Sequence, residues 1–311
     1  MAIGAIDIGG TKIAVGLVSE TGQLLIKTSW STHPNRGPVE GLQQIQNELD
    51  NLMKKTAIQI SGVGIGCTGP IDPMTSELGV NTFLPGWEGF QLCPSLQRHY
   101  QLPVFAENDA DAAALGEYYW GCGNGTTRFL YLTISTGIGG GLVIDGKLYR
   151  GAELSHPEVG HQVIDPLGPM CTCGARGCWE AIASGPAMAA WYANQIILKG
   201  YTTAPLTAKE ICIQAEAGDP LAFQTIEREG LYLGIGIANL VSLFIPDVIA
   251  LGGGVMQSSH LFLEKIRSVI QTNCNLVPHQ KVTIQAVKYQ QDAGVIGAAA
   301  VFLNRSKGVI K

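Results

Sequence analysis

Three groups of residues carry the chemical signals in this chain. Asp7-Ile8-Gly9-Gly10-Thr11-Lys12 lies between two alternating apolar runs, and Thr136-Gly137-Ile138-Gly139-Gly140-Gly141 holds the same place in a second such pair. Glycine lets backbone N–H groups come close to an anion, and Thr11 and Lys12 add donors, so two such turns point to a polyphosphate gripped by both. An ordinary glycine hairpin has the same spelling, and the second copy is what favours phosphate. His161, Cys171, Cys173 and Cys178 form a His-x9-Cys-x-Cys-x4-Cys set. One imidazole and three thiolates are a tetrahedral zinc donor set, and four protein ligands leave no open position, so such an ion is structural. Buried thiols or a disulfide are the competing readings. Asp109, in Glu107-Asn108-Asp109-Ala110, stands where a strand gives way to a helix. From there a carboxylate can receive a hydroxyl proton, or Asn108 or Asp109 can simply cap the helix.

The elements that must position these residues follow from the pattern. Residues 2–30 read as three strands joined by tight turns, and residues 128–150 repeat that grammar, which implies an internal duplication. Between them, residues 37–56 have helical spacing, 58–67 end in a strand, and 108–120 form an Ala-rich helix. Residues 151–177 are irregular, rich in Gly, Pro, Cys and His, and too long for a plain connection. Helical patterns dominate residues 181–243; then a buried strand, 247–251, opens into Gly252-Gly253-Gly254, and a last helix covers 292–304. Duplicated α/β halves facing each other imply a cleft. The expected division is a small N-terminal lobe of residues 1–108, completed by a C-terminal helix of about 292–311, and a large lobe, 109–291, that bears the zinc-binding loop.

Composition excludes several classes. With 311 residues, 46% of them hydrophobic, 14% charged and 40 glycines, the chain is compact and turn-rich. A net charge of −5 and no basic cluster beyond Lys54-Lys55 argue against a nucleic-acid partner. The longest apolar region, Leu231 to Ile245, is short for a membrane span and is broken by glycines, Asn239 and Ser242, so a buried helix is expected and a membrane is not. The chain shows no secretory leader, and its crowded cysteines suit a metal in a reducing compartment, so a cytoplasmic protein is expected.

The motifs, taken in order, resemble the ROK family of sugar kinases, repressors and related reading frames. The likeness rests on DIGGTK (7–12), CTGPID (67–72), LPGW (84–87), ENDA (107–110), TGIGGG (136–141), GAELSHPEVGH (151–161), CTCGARGCWE (171–180) and LGGGV (251–255), and it covers nearly the whole chain. It implies an actin-like ATPase (ribonuclease H-like) fold, α/β, with two duplicated lobes around a cleft. It also implies transfer of the γ-phosphate of ATP to a hexose, with Asp109 as general base. By the same resemblance Gly69, Asn81, Asn108, Asp109, Glu158, His161 and Glu180 are the sugar-binding residues. Asp7, Gly9, Gly10, Thr11, Lys12, Thr136, Gly137, Gly253 and Gly254 hold ATP, and Asp7 helps place Mg2+ through water. Zn2+ on His161, Cys171, Cys173 and Cys178 would fix the imidazole so that its other nitrogen meets a sugar hydroxyl. Glucose is expected from its frequency in the family; N-acetylmannosamine, N-acetylglucosamine, mannose and fructose are the alternatives, and a non-catalytic sugar sensor is a further one. Family repressors carry a helix-turn-helix ahead of this body, which here begins at residue 2, so a kinase is expected. A homodimer or homotetramer is implied. Ser135 departs from the family, where glycine is commoner, and Glu153 and His156 match no family binding position and read as loop residues.

Overall fold

The computed structural model describes residues 1–202 and 204–309. In chain order the elements are strands β1 (Ala2–Ile8), β2 (Lys12–Ser19) and β3 (Leu24–Ser31), helix α1 (Gly37–Thr56), β4 (Ile60–Cys67), α2 (Leu92–Tyr100), β5 (Val104–Asn108) and α3 (Asp109–Trp120). There follow β6 (Arg128–Ile134), β7 (Ile138–Ile144), β8 (Lys147–Leu148), α4 (Trp179–Ala183), α5 (Gly185–Leu198), α6 (Ala208–Glu216) and α7 (Pro220–Phe244). The chain ends through β9 (Val248–Gly252), α8 (Leu263–Asn273), β10 (Thr283–Ala286) and α9 (Ala293–Val309). Residues 310 and 311, the end of the expected last helix, lie outside the described residues. The two five-stranded sheets have the orders β3-β2-β1-β4-β5 and β8-β7-β6-β9-β10, the same arrangement twice, as the repeated grammar requires. This is the actin-like ATPase fold. Leu231 to Ile245 falls in α7 as expected, and among the described residues no helix is long and apolar enough to cross a membrane.

Two compact units result. One comprises residues 1–125, 141–157 and 288 onward; the other comprises 126–140 and 158–287. The expected boundary at 108/109 put α3 with the large lobe, whereas in the structure α3 packs against α9 and belongs to the first unit.

Within the first unit, strand alternation sorts the faces. Ile6 and Ile8 of β1 and Val63, Ile65 and Cys67 of β4 turn toward a core shared with Leu42, Ile45 and Leu49 of α1. Ile3 and Ala5 turn the other way, toward Val295, Ala298, Ala299 and Phe302 of α9. On that second face β4 offers only Gly62, Gly64 and Gly66. A Cβ on Gly64 would lie 1.8 Å from the Ala298 carbonyl oxygen, and one on Gly66 would lie 3.0 Å from the Ala112 Cβ. The same economy recurs where the helices cross: a Cβ on Gly116 of α3 would come 2.9 Å from the Gly297 nitrogen of α9. Three bare glycines thus let α3 and α9 lie directly on the sheet, and the small alanines that fill both helices keep them helical at that distance. Gly64→Ala is expected to destabilise the protein by about 1–3 kcal/mol, because backbone rather than a flexible side chain has to yield; a urea midpoint equal to that of the unaltered protein would contradict this packing.

Candidate active site

The sheet register of the first unit aligns the carboxyl ends of its central strands. Asp7 of β1 pairs with Gly66 of β4, which pairs with Glu107 of β5; in the next row Ile8, Cys67 and Asn108 pair likewise. Asp7 falls on the glycine face and meets the start of α9, where a Cβ on Gly294 would lie 2.2 Å from its Oδ2. Asp109, the first residue of α3, has its Cα 3.8 Å from where a Gly66 Cβ would sit. Burial raises both carboxyls. Asp7 is pushed up to about 7 by burial and by Asp109, against the pull of Lys12. Asp109 is raised by burial, opposed by the Ala110 N–H and by His156. The buried Cys67 thiol is raised by burial and by both carboxylates. Two acids destabilised side by side are a place built for a cation or for a proton.

Asn108 caps α3: its Oδ1 accepts from the Ala110 N–H (2.9 Å) and the Asp111 N–H (3.3 Å). The Asp109 Oδ1 also accepts from the Ala110 N–H (2.8 Å), so Asn108 and Asp109 share one capping donor. The Asn108 Nδ2 lies 2.9 Å from where a Gly69 Cβ would be, which is why position 69 carries no side chain. Asn81 is buried; its Nδ2 donates to the Thr68 carbonyl (3.1 Å) and its Oδ1 accepts from the Phe83 N–H (2.7 Å). One Nδ2 hydrogen and one Oδ1 lone pair remain for a ligand. In the first glycine turn the Gly9 N–H donates to the Lys12 carbonyl (2.9 Å), and the Thr32 hydroxyl donates to the Gly9 carbonyl (2.6 Å). A Cβ on Gly10 would collide with the Phe83 Cβ at 2.7 Å. Thr11 and Lys12 are exposed.

The second glycine turn belongs to the second unit. The Ser135 N–H donates to the Gly137 carbonyl and the Ser135 carbonyl accepts from the Gly185 N–H, both at 2.8 Å. The Glu180 Oε2 accepts from the Ile138 N–H (2.9 Å) and lies 2.4 Å from where a Gly137 Cβ would sit. Gly253 has φ +91° with the Ile134 carbonyl oxygen 2.3 Å from its would-be Cβ, a position only glycine fills, and Gly254 lies beside the Ser135 hydroxyl. Thr136, Gly137, Gly253 and Gly254 therefore gather at one end of β6 and β9. Glu158 keeps its side chain exposed while its carbonyl accepts the His161 N–H (3.0 Å).

The donor atoms of His161, Cys171, Cys173 and Cys178 all lie within 4.8 Å of one another. His161 Nδ1 is 3.5 Å from Cys171 Sγ, and Cys173 Sγ is 3.6 Å from Cys178 Sγ. These are near the edges of a tetrahedron around a zinc ion with Zn–S bonds of about 2.3 Å. They are far above the ~2.05 Å of a disulfide. The set fits a metal. The imidazole offers Nδ1 to the thiols, which leaves Nε2 for another partner. Trp179, fully buried against Gly236 of α7, pins the loop between Cys178 and Glu180.

Sequence reasoning missed a charge cluster around Asp109. Arg150 pairs with both Glu107 and Asp111, His156 Nδ1 lies 2.9 Å from the Asp111 Oδ2, and Arg305 of α9 holds the other Glu107 oxygen at 3.0 Å. Asp111 is completely buried and Glu107 nearly so. Two acids flanking Asp109 at positions −2 and +2 were the available signal.

Residues 3–305 match the ROK family. The chain belongs to the ROK family. A glucokinase of Thermotoga maritima is 32% identical over 97% of this chain and 98% of its own, and an N-acetylmannosamine kinase of Escherichia coli O7:K1 is 34% identical over 96% and 97%. The xylose repressor of Bacillus subtilis is 32% identical over 81% of this chain and 63% of its own. Among solved structures, a ROK family glucokinase from Streptomyces griseus in complex with glucose and AMPPNP superimposes with a TM-score of 0.82 at 31% identity, covering 98% of this chain and all of that one.

The raised carboxyl of Asp7 has a consequence for this ROK protein's stability. Its folded value, about 7, exceeds the ordinary 3.8, so stability falls as pH rises through that window and is fully present only below it. Asp7→Asn removes the loss, and its thermal midpoint in metal-free buffer should match that of the parent near pH 4 and exceed it increasingly toward pH 8. A difference of midpoints independent of pH would count against the burial of that charge.

Proposed function

We propose that this chain transfers the γ-phosphate of ATP to the 6-hydroxyl of glucose. It is an ATP-dependent sugar kinase, and the observation that carries the reading is the Asp109 carboxyl at the capped N-terminus of α3, raised above the ordinary range beside Asp7. Phosphoryl transfer asks the protein for orientation and charge rather than covalent chemistry. Asp109 receives the proton of the attacking hydroxyl, and its desolvated carboxylate is a stronger base than one in water. Asn108, fixed by its cap bonds, turns Nδ2 toward a sugar oxygen over Gly69. Asn81 supports the adjacent turn with one N–H to offer. In the second unit Glu158, His161 through Nε2, and the free Oε1 of Glu180 are assigned to sugar hydroxyls. Because Glu180 also holds the Ile138 N–H, the second glycine turn and a sugar ligand share one carboxylate. Gly9, Gly10, Thr11 and Lys12 of the first unit, and Thr136, Gly137, Gly253 and Gly254 of the second, are assigned to the nucleotide. Magnesium, placed through water by Asp7, neutralises phosphate charge when bound. Zinc on the Cys3His set orders the loop that bears Glu158 and Glu180.

N-acetylmannosamine is the second substrate reading, supported by the 34% identical kinase. A sensor without turnover is disfavoured by Asp109, which stands at the position that the family resemblance makes the general base.

A coupled ADP-release assay with Mg-ATP and a panel of glucose, mannose, fructose and the two N-acetylhexosamines should give turnover with glucose as the best acceptor, and Asp109→Asn should lose about 10²–10⁴-fold in kcat. Sugar binding without turnover would transfer the protein to the sensor class. Elemental analysis should find one zinc per chain, and Cys173→Ser should raise the sugar KM with a smaller effect on the ATP KM; zinc-free protein of full activity would remove the metal from the scheme.

A further inference from the structure

The cluster that flanks Asp109 is too ordered to be incidental surface charge. Asp111 is the third residue of α3, so its backbone is rigidly tied to that of Asp109 within one helical turn. Its side chain is fully buried, and only Oδ2 is engaged, by the Arg150 guanidinium and by the His156 Nδ1 at 2.9 Å. Among the described residues Oδ1 has no hydrogen-bond partner, and it lies 2.9 Å from where a Cβ on Gly141 would be, so the β7 backbone blocks that side. Glu107, the residue before Asn108, is fixed by Arg150 and Arg305. Arg150 thus ties the strand before Asp109 to the helix after it, and the His156 imidazole makes the second close polar contact to Asp111, an ion-pair approach rather than an aligned hydrogen bond. His156 comes from an irregular segment in which Glu153 and Leu154 both have positive φ (55° and 61°), a backbone held in place at some cost in strain.

We infer that His156 is a positioning residue for phosphoryl transfer: through its 2.9 Å contact with Asp111 it fixes the first turn of α3, and with it the carboxylate of Asp109. The inference rests on the kinase reading above. A buried carboxylate that loses one of two close polar partners turns toward the one that remains, here Arg150, and drags the helix start with it. A displacement of about 1 Å at a reacting group costs on the order of 10²-fold in rate. Neither nucleotide nor sugar touches His156 in this scheme, so the loss falls on kcat.

The test is steady-state kinetics of the full chain with Mg-ATP and its best sugar, for the parent and for His156→Ala, His156→Asn and His156→Gln, with thermal midpoints for each. His156→Ala should lose about 10–100-fold in kcat, with both KM values within about threefold. Asparagine sets an N–H where the imidazole Nδ1 stood and should recover kcat to within about threefold. Glutamine sets its N–H near the Nε2 position and should not. Should the alanine protein fail to fold, the asparagine and glutamine pair decides. Equal kcat across all variants overturns the inference, as does a loss in all three that tracks the fall in thermal midpoint. Absence of turnover in the parent with every sugar would instead remove the kinase reading and this inference with it.

Discussion

The first unit depends on one steric constraint: backbone must meet backbone where α3 and α9 lie against β4. Gly62, Gly64 and Gly66 leave that face of the strand bare, and Gly116 and Gly297 do the same where the helices cross. Everything chemical in the unit follows from this closeness. Asp7 meets the first residues of α9 because nothing larger than Gly294 stands between them. Asp109 starts its helix beside Gly66, in line with the ends of β1 and β5. A helix held at side-chain distance would carry Asp109 away from Asp7 and leave both in water, with ordinary carboxyls.

Charge completes what sterics begins. Burial raises both Asp7 and Asp109, and Asp109 adds to the rise of Asp7, while Glu107 and Asp111 are paired with Arg150, Arg305 and His156. The unit therefore sorts four acids into two kinds within a few residues. Glu107 and Asp111 sit in direct ion pairs; Asp7 and Asp109 are in none of those pairs. In the second unit the same economy recurs: Glu180 supports the second glycine turn from a position two residues past Cys178 of the Cys3His cluster.

Much of this was legible in the sequence. The repeated strand grammar gave the two sheets, because glycine turns and period-two alternation are local signals. The Cys3His set and the cap at Asn108 were legible for the same reason, since their partners lie within about twenty residues. The boundary after residue 108 was not, because what assigns α3 to the first unit is a contact with α9, some 180 residues later, and small-residue packing has no periodic signature. Asn81 read as a ligand, but its amide proves largely committed to Thr68 and Phe83, a matter of fine geometry. His156 read as a loop residue because its partner Asp111 is 45 positions away, and isolated charges carry no pattern.

The chain order of the first unit bears on its birth at the ribosome. The glycine face of β4 is complete once Cys67 is made, but α9, which covers it, begins only at Ala293. About 230 residues separate them, and at roughly 5–20 residues per second the sheet waits on the order of 10–45 s with that face open. During this interval Ile3, Ala5, Ala14 and Val18 lack the helix that buries them. Such a nascent sheet is an apolar, flat and side-chain-poor surface, the kind that pairs readily with a neighbouring copy. The packing that gives the finished unit its closeness thus cannot form until its last helix has been made.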